Sequence, residues 1–164
     1  MSVIAFGNFT PDFIDSLASE LSGRRVLEIY AGNGYLSAEL RKRHVNIRAT
    51  SLFAGHDGHD SKMWGPVENI EASQAIDAYQ HESDCLLVSW PTTTNAMLRA
   101  AIAWGREKDI FFIGERLKPE LGSFGRFPGC ASDEFFARTC IIRTIPGYTP
   151  RNMLDDACVM RFLG

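Results

Sequence analysis

Arg25-Val26-Leu27-Glu28-Ile29-Tyr30, then Ala31-Gly32-Asn33-Gly34, then Tyr35-Leu36-Ser37-Ala38-Glu39-Leu40 is the stretch on which the fold turns. The first six residues form a short apolar run with β-branched members, which predicts a buried strand. The two glycines end that run abruptly, and the apolar spacing after them is helical. A glycine in such a turn permits positive φ and lets backbone N–H groups come close to a bound molecule. Glu28, near the strand end, can accept hydrogen bonds from a ligand ammonium or hydroxyl. Two glycines by themselves suit a tight strand-to-helix turn with no ligand equally well.

The same alternation extends in both directions. Upstream, Thr10-Pro11-Asp12 combines a capping residue with a proline at the first helical position, and Phe13, Ile14, Leu17, Ala18 and Leu21 follow at helical spacing until Gly23. Downstream, the spacing predicts strands over 45–51, 84–90 and 109–114 and helices over 71–79 and 94–104, with a polar, glycine-bearing loop over 53–65. A right-handed crossover would lay the second strand parallel to the first. Strands that alternate with helices and lack polar alternation themselves belong in a parallel sheet covered on both faces. After a glycine- and proline-rich loop over 118–129 come a short helix over 132–138 and strands over 139–145 and 157–163, separated by Pro146-Gly147. The expectation is one α/β domain over residues 1–164, a doubly wound, mostly parallel sheet with helices on both faces and a C-terminal antiparallel hairpin.

Composition narrows the function classes. The chain has 164 residues, 45% of them hydrophobic, which suits one sizeable core. A formal net charge of −3 gives no broad basic surface for gripping phosphates, so nucleic acid is not the expected partner, although Arg41, Lys42, Arg43 and His44 form a local basic patch. The four cysteines, Cys85, Cys130, Cys140 and Cys158, show no CxxC spacing and read as reduced, buried thiols. Met1 to Thr10 lacks the basic and apolar regions of a secretory signal, and no stretch approaches a membrane span, so a cytoplasmic location is expected.

Val26-Leu27-Glu28-Ile29-Tyr30-Ala31-Gly32-Asn33-Gly34 resembles the first motif of the class I S-adenosylmethionine-dependent methyltransferases, an acidic residue followed by a glycine-rich turn. The order of elements is similar too, down to the terminal hairpin. The resemblance implies S-adenosylmethionine as cofactor, its methionine part packed against Glu28, Ala31, Gly32 and Gly34. Tyr30 stands where many members have the first glycine. At the end of the second strand, where the family carries an acid for the ribose hydroxyls, this chain has Thr50-Ser51; the neutral Ser51 hydroxyl would hold a ribose more weakly, with Asp57 or Asp60 of the loop as the candidate substitute. The adenine site of the family lies after the third strand, which points to Glu68, Asn69 and Glu71. Asp84 to Thr92 resembles the fourth-strand motif of amino methyltransferases, which makes Ser89, Trp90 and Pro91 the counterparts of the residues that hold the acceptor. Methyl transfer is an in-line displacement, for which alignment and a desolvated aromatic wall can suffice. The plain structural reading of that segment is a buried strand end with Trp90 in the core.

His56-Asp57-Gly58-His59-Asp60 offers metal-ligand side chains, but no CxxC or HExxH partner accompanies it, and the expectation is no metal. A lid over the crevice with Trp64 at its far end is the role the loop suggests. Glu115 and Arg116, just past the fifth strand, are expected as a surface ion pair at the ligand edge. The leading functional expectation is a methyltransferase acting on a small molecule or on an exposed nitrogen of a macromolecule. The alternative is a methyltransferase-like module without activity that serves a protein partner. A nicotinamide-dependent oxidoreductase ranks third, because Gly32-Asn33-Gly34-Tyr35-Leu36-Ser37 departs from GxGxxG.

Overall fold

The computed structural model describes residues 7–53, 62–124 and 128–164. Strand β1 (Arg25–Ile29) leads through the glycine turn into helix α2 (Tyr35–Arg41) and back into β2 (Asn46–Ser51), which lies parallel to β1 with Leu27 opposite Arg48. The chain then reaches the two-residue strand β3 (Glu68–Asn69), helix α3 (Ala72–Tyr79), β4 (Cys85–Ser89), α4 (Ala96–Trp104) and β5 (Ile110–Glu115). Helix α1 (Pro11–Leu21) precedes the sheet; α5 (Asp133–Ala137), β6 (Thr139–Thr144) and β7 (Asp155–Phe162) close the fold. The strand order is β3-β2-β1-β4-β5-β7-β6, with β7 antiparallel to both β5 and β6.

The residues explain the layering. Alternate side chains of each central strand face opposite ways, and both directions are apolar. On one face Val26, Leu87, Phe111 and Ile113 pack under Phe13, Ile14 and Leu17 of α1 and Leu36 and Leu40 of α2. On the other, Leu27, Ile29, Val88 and Phe112 pack under α3, α4 and the Phe135–Phe136 pair of α5. Thr10 caps α1, its hydroxyl accepting from the Phe13 N–H at 3.2 Å, with Pro11 at the first position as the sequence predicts. At the amino ends of the strands, Asp84 accepts from the Arg25 backbone N–H at 2.8 Å and from its guanidinium at 2.7 Å. That guanidinium holds the Asp84 carboxyl down, to about 2, and ties the start of β1 to the start of β4.

Three expectations shift. The third strand is only Glu68–Asn69, too short to leave a periodic signal, so two residues expected beyond that strand are the strand itself. The final strand starts at Asp155, two residues before the apolar run, because β5 extends to Glu115 and offers it a partner there. Cys140 is exposed on the edge strand β6, whereas Cys85, Cys130 and Cys158 are buried; all four are free. Burial pushes those three thiols up to about 12. Among the described residues no helix is long and apolar enough to cross a membrane, and no cluster of metal-ligating side chains occurs; His56 to Asp60 lie outside them.

A thiol-specific chromogenic reagent at neutral pH should modify one cysteine, Cys140, in the native protein and the other three only on unfolding. Rapid modification of two or more thiols without denaturant would contradict the packing of β4, β5 and β7.

Candidate functional site at the carboxyl ends of the parallel strands

β1 pairs with β2 on one side and with β4 on the other, so the connections leave β1 and β4 in opposite directions. The crevice that this reversal opens at the carboxyl ends is the usual ligand site of an open α/β sheet. Register brings Ile29 opposite Val88, and each strand continues past that pair into an aromatic residue with left-handed backbone, Tyr30 at φ 60° and Trp90 at φ 51°. For residues other than glycine this conformation costs about 1–3 kcal/mol and concentrates at functional sites. The motif resemblance put a glycine at position 30; the structure shows the backbone requirement that makes glycine common there, met here by a strained tyrosine. Trp90 is held by its own N–H, which donates to the Ile113 carbonyl at 2.8 Å, and the buried Pro91 follows, its carbonyl accepting from Ala131 at 3.4 Å.

The glycine turn is organised by hydrogen bonds to the end of β2. Ala31 N–H donates to the Thr50 carbonyl at 3.0 Å, Gly32 N–H to the Ser51 hydroxyl at 3.3 Å, and Gly34 N–H back to Ala31 at 3.0 Å. Gly32 (φ 58°) faces open space: a Cβ built there meets nothing within 4 Å among the described residues. Gly34 (φ 78°) differs, because its Cβ would lie 2.7 Å from Val67 Cγ2. A strap over 62–67 therefore crosses the turn. Trp64 N–H donates to the Asn33 carbonyl at 2.9 Å, its indole stands edge-on to Tyr35 with ring centroids 5.3 Å apart, and Arg41 donates to the Pro66 carbonyl at 3.2 Å. Trp64, expected at the far end of a lid, is thus fastened to the turn itself.

Glu28 is 1% exposed, and its Oε2 has no hydrogen-bond partner among the described residues. Burial raises its carboxyl to about 8, against the pull of the Arg41 guanidinium and the Ser37 hydroxyl. It lies under α2 and does not line the cavity in the crevice. That cavity, about 150 Å³, is lined by Tyr30 at the end of β1, Ser51 and Leu52 at the end of β2, Ile70 and Glu71 ahead of α3, and Thr92 and Arg99 from the β4–α4 side.

The structure thus gathers Tyr30, Ser51, Glu71 and Thr92 of the turn after β4 around one cavity, while Ala31, Gly32 and Gly34 follow Tyr30 in the chain and are not among its lining residues. Glu68 is drawn away: its carboxylate accepts from the Tyr79 hydroxyl at 2.8 Å and pairs with Arg48 at 3.7 Å on the sheet edge. Asn69 Oδ1 accepts from Phe53 N–H at 3.1 Å, and Glu71 also caps α3 through Ser73 N–H at 2.8 Å. Glu115, expected as half of an ion pair with Arg116, instead joins two loops, accepting from Gly129 N–H at 2.5 Å and Asn152 Nδ2 at 2.9 Å, while Arg116 pairs with Asp156 at 3.0 Å. Sequence reasoning missed Arg99 and Thr92, which nothing but their place after a strand end distinguishes. Asp57 and Asp60 lie outside the described residues.

No protein-family model matches the chain, and no curated protein is similar to it in sequence. Solved structures are similar in fold. A glutamate-to-glutamine variant of MtNAS, a nicotianamine synthase, in complex with S-adenosylmethionine superposes with TM-score 0.58 at 14% identity, covering 96% of this chain and 64% of that one. An O-methyltransferase family protein from Burkholderia thailandensis gives TM-score 0.52 at 12% identity over 91% of this chain and 54% of that one. A precorrin-6y C5,15-methyltransferase from Geobacter metallireducens gives 0.50 at 11% identity over 92% and 87%. The chain spans less than two thirds of the length of the first two. It has the class I methyltransferase fold.

Two outcomes test the site. Glu28 is neutral in the fold and ionised when unfolded between pH 4.5 and about 8, so folding takes up a proton there. Its contribution to stability is therefore fully present below about 4.5 and lost as pH rises to 8. Glu28→Gln should flatten that fall, read as the difference between wild-type and variant urea midpoints at pH 5 and pH 8. Separately, Gly34→Ala should cost about 2 kcal/mol or more, from φ strain plus the clash with Val67, and Gly32→Ala only about 1 kcal/mol, from φ strain. Equal losses in urea denaturation would contradict the strap.

Proposed function

We propose that the chain binds S-adenosylmethionine in the crevice between the ends of β1 and β4 and transfers its methyl group to a small molecule or to an exposed nitrogen of a macromolecule. The observation that carries this reading is the cavity at the reversal of strand order, lined by Tyr30, Ser51, Glu71 and Arg99, beside a glycine turn whose face is open at Gly32. The cavity offers a ligand's polar groups the Ser51 hydroxyl, the Glu71 carboxylate and the Arg99 guanidinium, and the open face at Gly32 lets a ligand approach the turn without meeting a side chain. S-adenosylmethionine, when bound, supplies a methyl group on a sulfonium, which is attacked in line by the acceptor as the carbon–sulfur bond breaks.

The protein's own residues have modest tasks in such a reaction. Ser89, Trp90 and Pro91, at the carboxyl end of β4 just ahead of the cavity-lining Thr92, would hold the acceptor, with the Trp90 backbone fixed by its bond to Ile113. Alignment and exclusion of water by these aromatic and apolar groups lower the barrier without a strong general base.

One observation favours a second reading, a methyltransferase-like module that no longer binds cofactor and serves a protein partner. The Ser51 hydroxyl, at the position of the family's ribose-binding acid, already accepts from Gly32 N–H, and a neutral group so engaged has little left for two ribose hydroxyls.

Calorimetric titration with S-adenosylmethionine and S-adenosylhomocysteine separates the two. Micromolar binding is expected, and Gly32→Val should abolish it by filling the open face of the turn. A folded protein that binds neither ligand at millimolar concentration would overturn the enzyme reading in favour of the module.

A further inference from the structure

We propose that Tyr30 is the residue that sets what enters the crevice: its ring stands in the space a nucleoside would take, so the wild-type chain admits one only when the ring swings aside. The inference rests on the proposed function and deepens it by assigning a size-selecting residue to the site.

Three observations converge on Tyr30. First, the cavity at the switch point measures about 150 Å³ with Tyr30 forming part of its wall, while pockets for ligands of nucleoside size and above run from about 300 Å³ upward. Second, the tyrosine is half-buried, packs beside the α3–α4 core, and lines the cavity together with Glu71 at the cap of α3, Thr92 and Arg99 of α4. Third, the backbone that carries it is left-handed, φ 60°, where glycine is at ease and an aromatic residue is strained. A bulky residue at a position whose backbone favours glycine calls for a role beyond packing, and occupation of the crevice is the role its surroundings supply.

The energetic consequence follows from population. If the ring-aside state is a small fraction of the molecules, the apparent affinity for any ligand that needs the space falls by that fraction, and removal of the ring restores it. Replacement by glycine also suits φ 60°, so the change that empties the crevice relieves the backbone as well.

The experiment compares wild type with Tyr30→Gly, Tyr30→Asn and Tyr30→Phe in calorimetric titrations with S-adenosylhomocysteine and with adenosine. Asparagine is the second small residue because it tolerates left-handed backbone and keeps a side chain if glycine loosens the turn. Circular dichroism and a thermal midpoint confirm that each variant is folded. Tyr30→Gly and Tyr30→Asn should bind both ligands about tenfold more tightly than wild type, and Tyr30→Phe, which keeps the ring, should match wild type within about threefold. Wild-type binding that is unchanged or weaker in the two small variants would overturn the inference and leave the proposed function standing, with Tyr30 as a ligand contact. No binding of either ligand by any of the four folded proteins would overturn the proposed function, and the size-selecting role with it.

Discussion

The pairing of β1 with β4 is the interaction on which the rest of this structure depends. It sets two sequence-distant strands side by side with Ile29 level with Val88, and it reverses the direction in which the chain winds. Both strands are buried on both faces, so their backbone groups have no access to water and the ladder between them must be complete. The Arg25–Asp84 pair fastens the same two strands at their amino ends. At their carboxyl ends nothing continues the ladder, and the two chains part around a crevice.

What lines that crevice reflects competition between folding and binding. Groups that a methyltransferase fold can offer to a ligand are partly consumed here by the protein's own contacts. The Ser51 hydroxyl holds Gly32 N–H, the space above Gly34 belongs to Val67, and Glu71 caps α3. The space at the Gly32 Cα stays open and the far oxygen of Glu28, beneath α2, stays without a hydrogen-bond partner among the described residues. A turn satisfied mostly from within is rigid before any ligand arrives, which lowers the ordering cost of binding but also limits how much a ligand can gain from it.

Tyr30 and Trp90 concentrate the strain of the fold at this point. Each is an aromatic residue in left-handed backbone directly after a central strand; the Trp90 backbone is held by Ile113 and the residues around Pro91, and Tyr30 is partly buried against the core between α3 and α4. Strain of this kind persists only where surrounding packing outweighs it. The cores on the two faces of the sheet supply that packing, with Phe111 and Phe112, adjacent in sequence, anchoring opposite faces.

Much of this was legible in the residues. Periodicity, caps and glycine punctuation place α1, β1, α2, β2, β4 and β5, because those signals report on local backbone and on which side chains meet the core. The chain order of these elements implies the parallel sheet, and the motif around Glu28 implies where its ligand edge lies. The sequence by itself could not show that Glu68 and Asn69 form a strand, since two residues carry no period, nor that Cys140 faces solvent, since the exposure of an edge strand depends on what pairs with it. Only the tertiary structure decided that Trp64 and Val67 close over the glycine turn, that Glu28 lies sealed beneath α2, and that Arg99 and Thr92 share a crevice with Tyr30. Each of these joins residues far apart in the chain, and local propensity holds no information about which distant side chain will fill a given space.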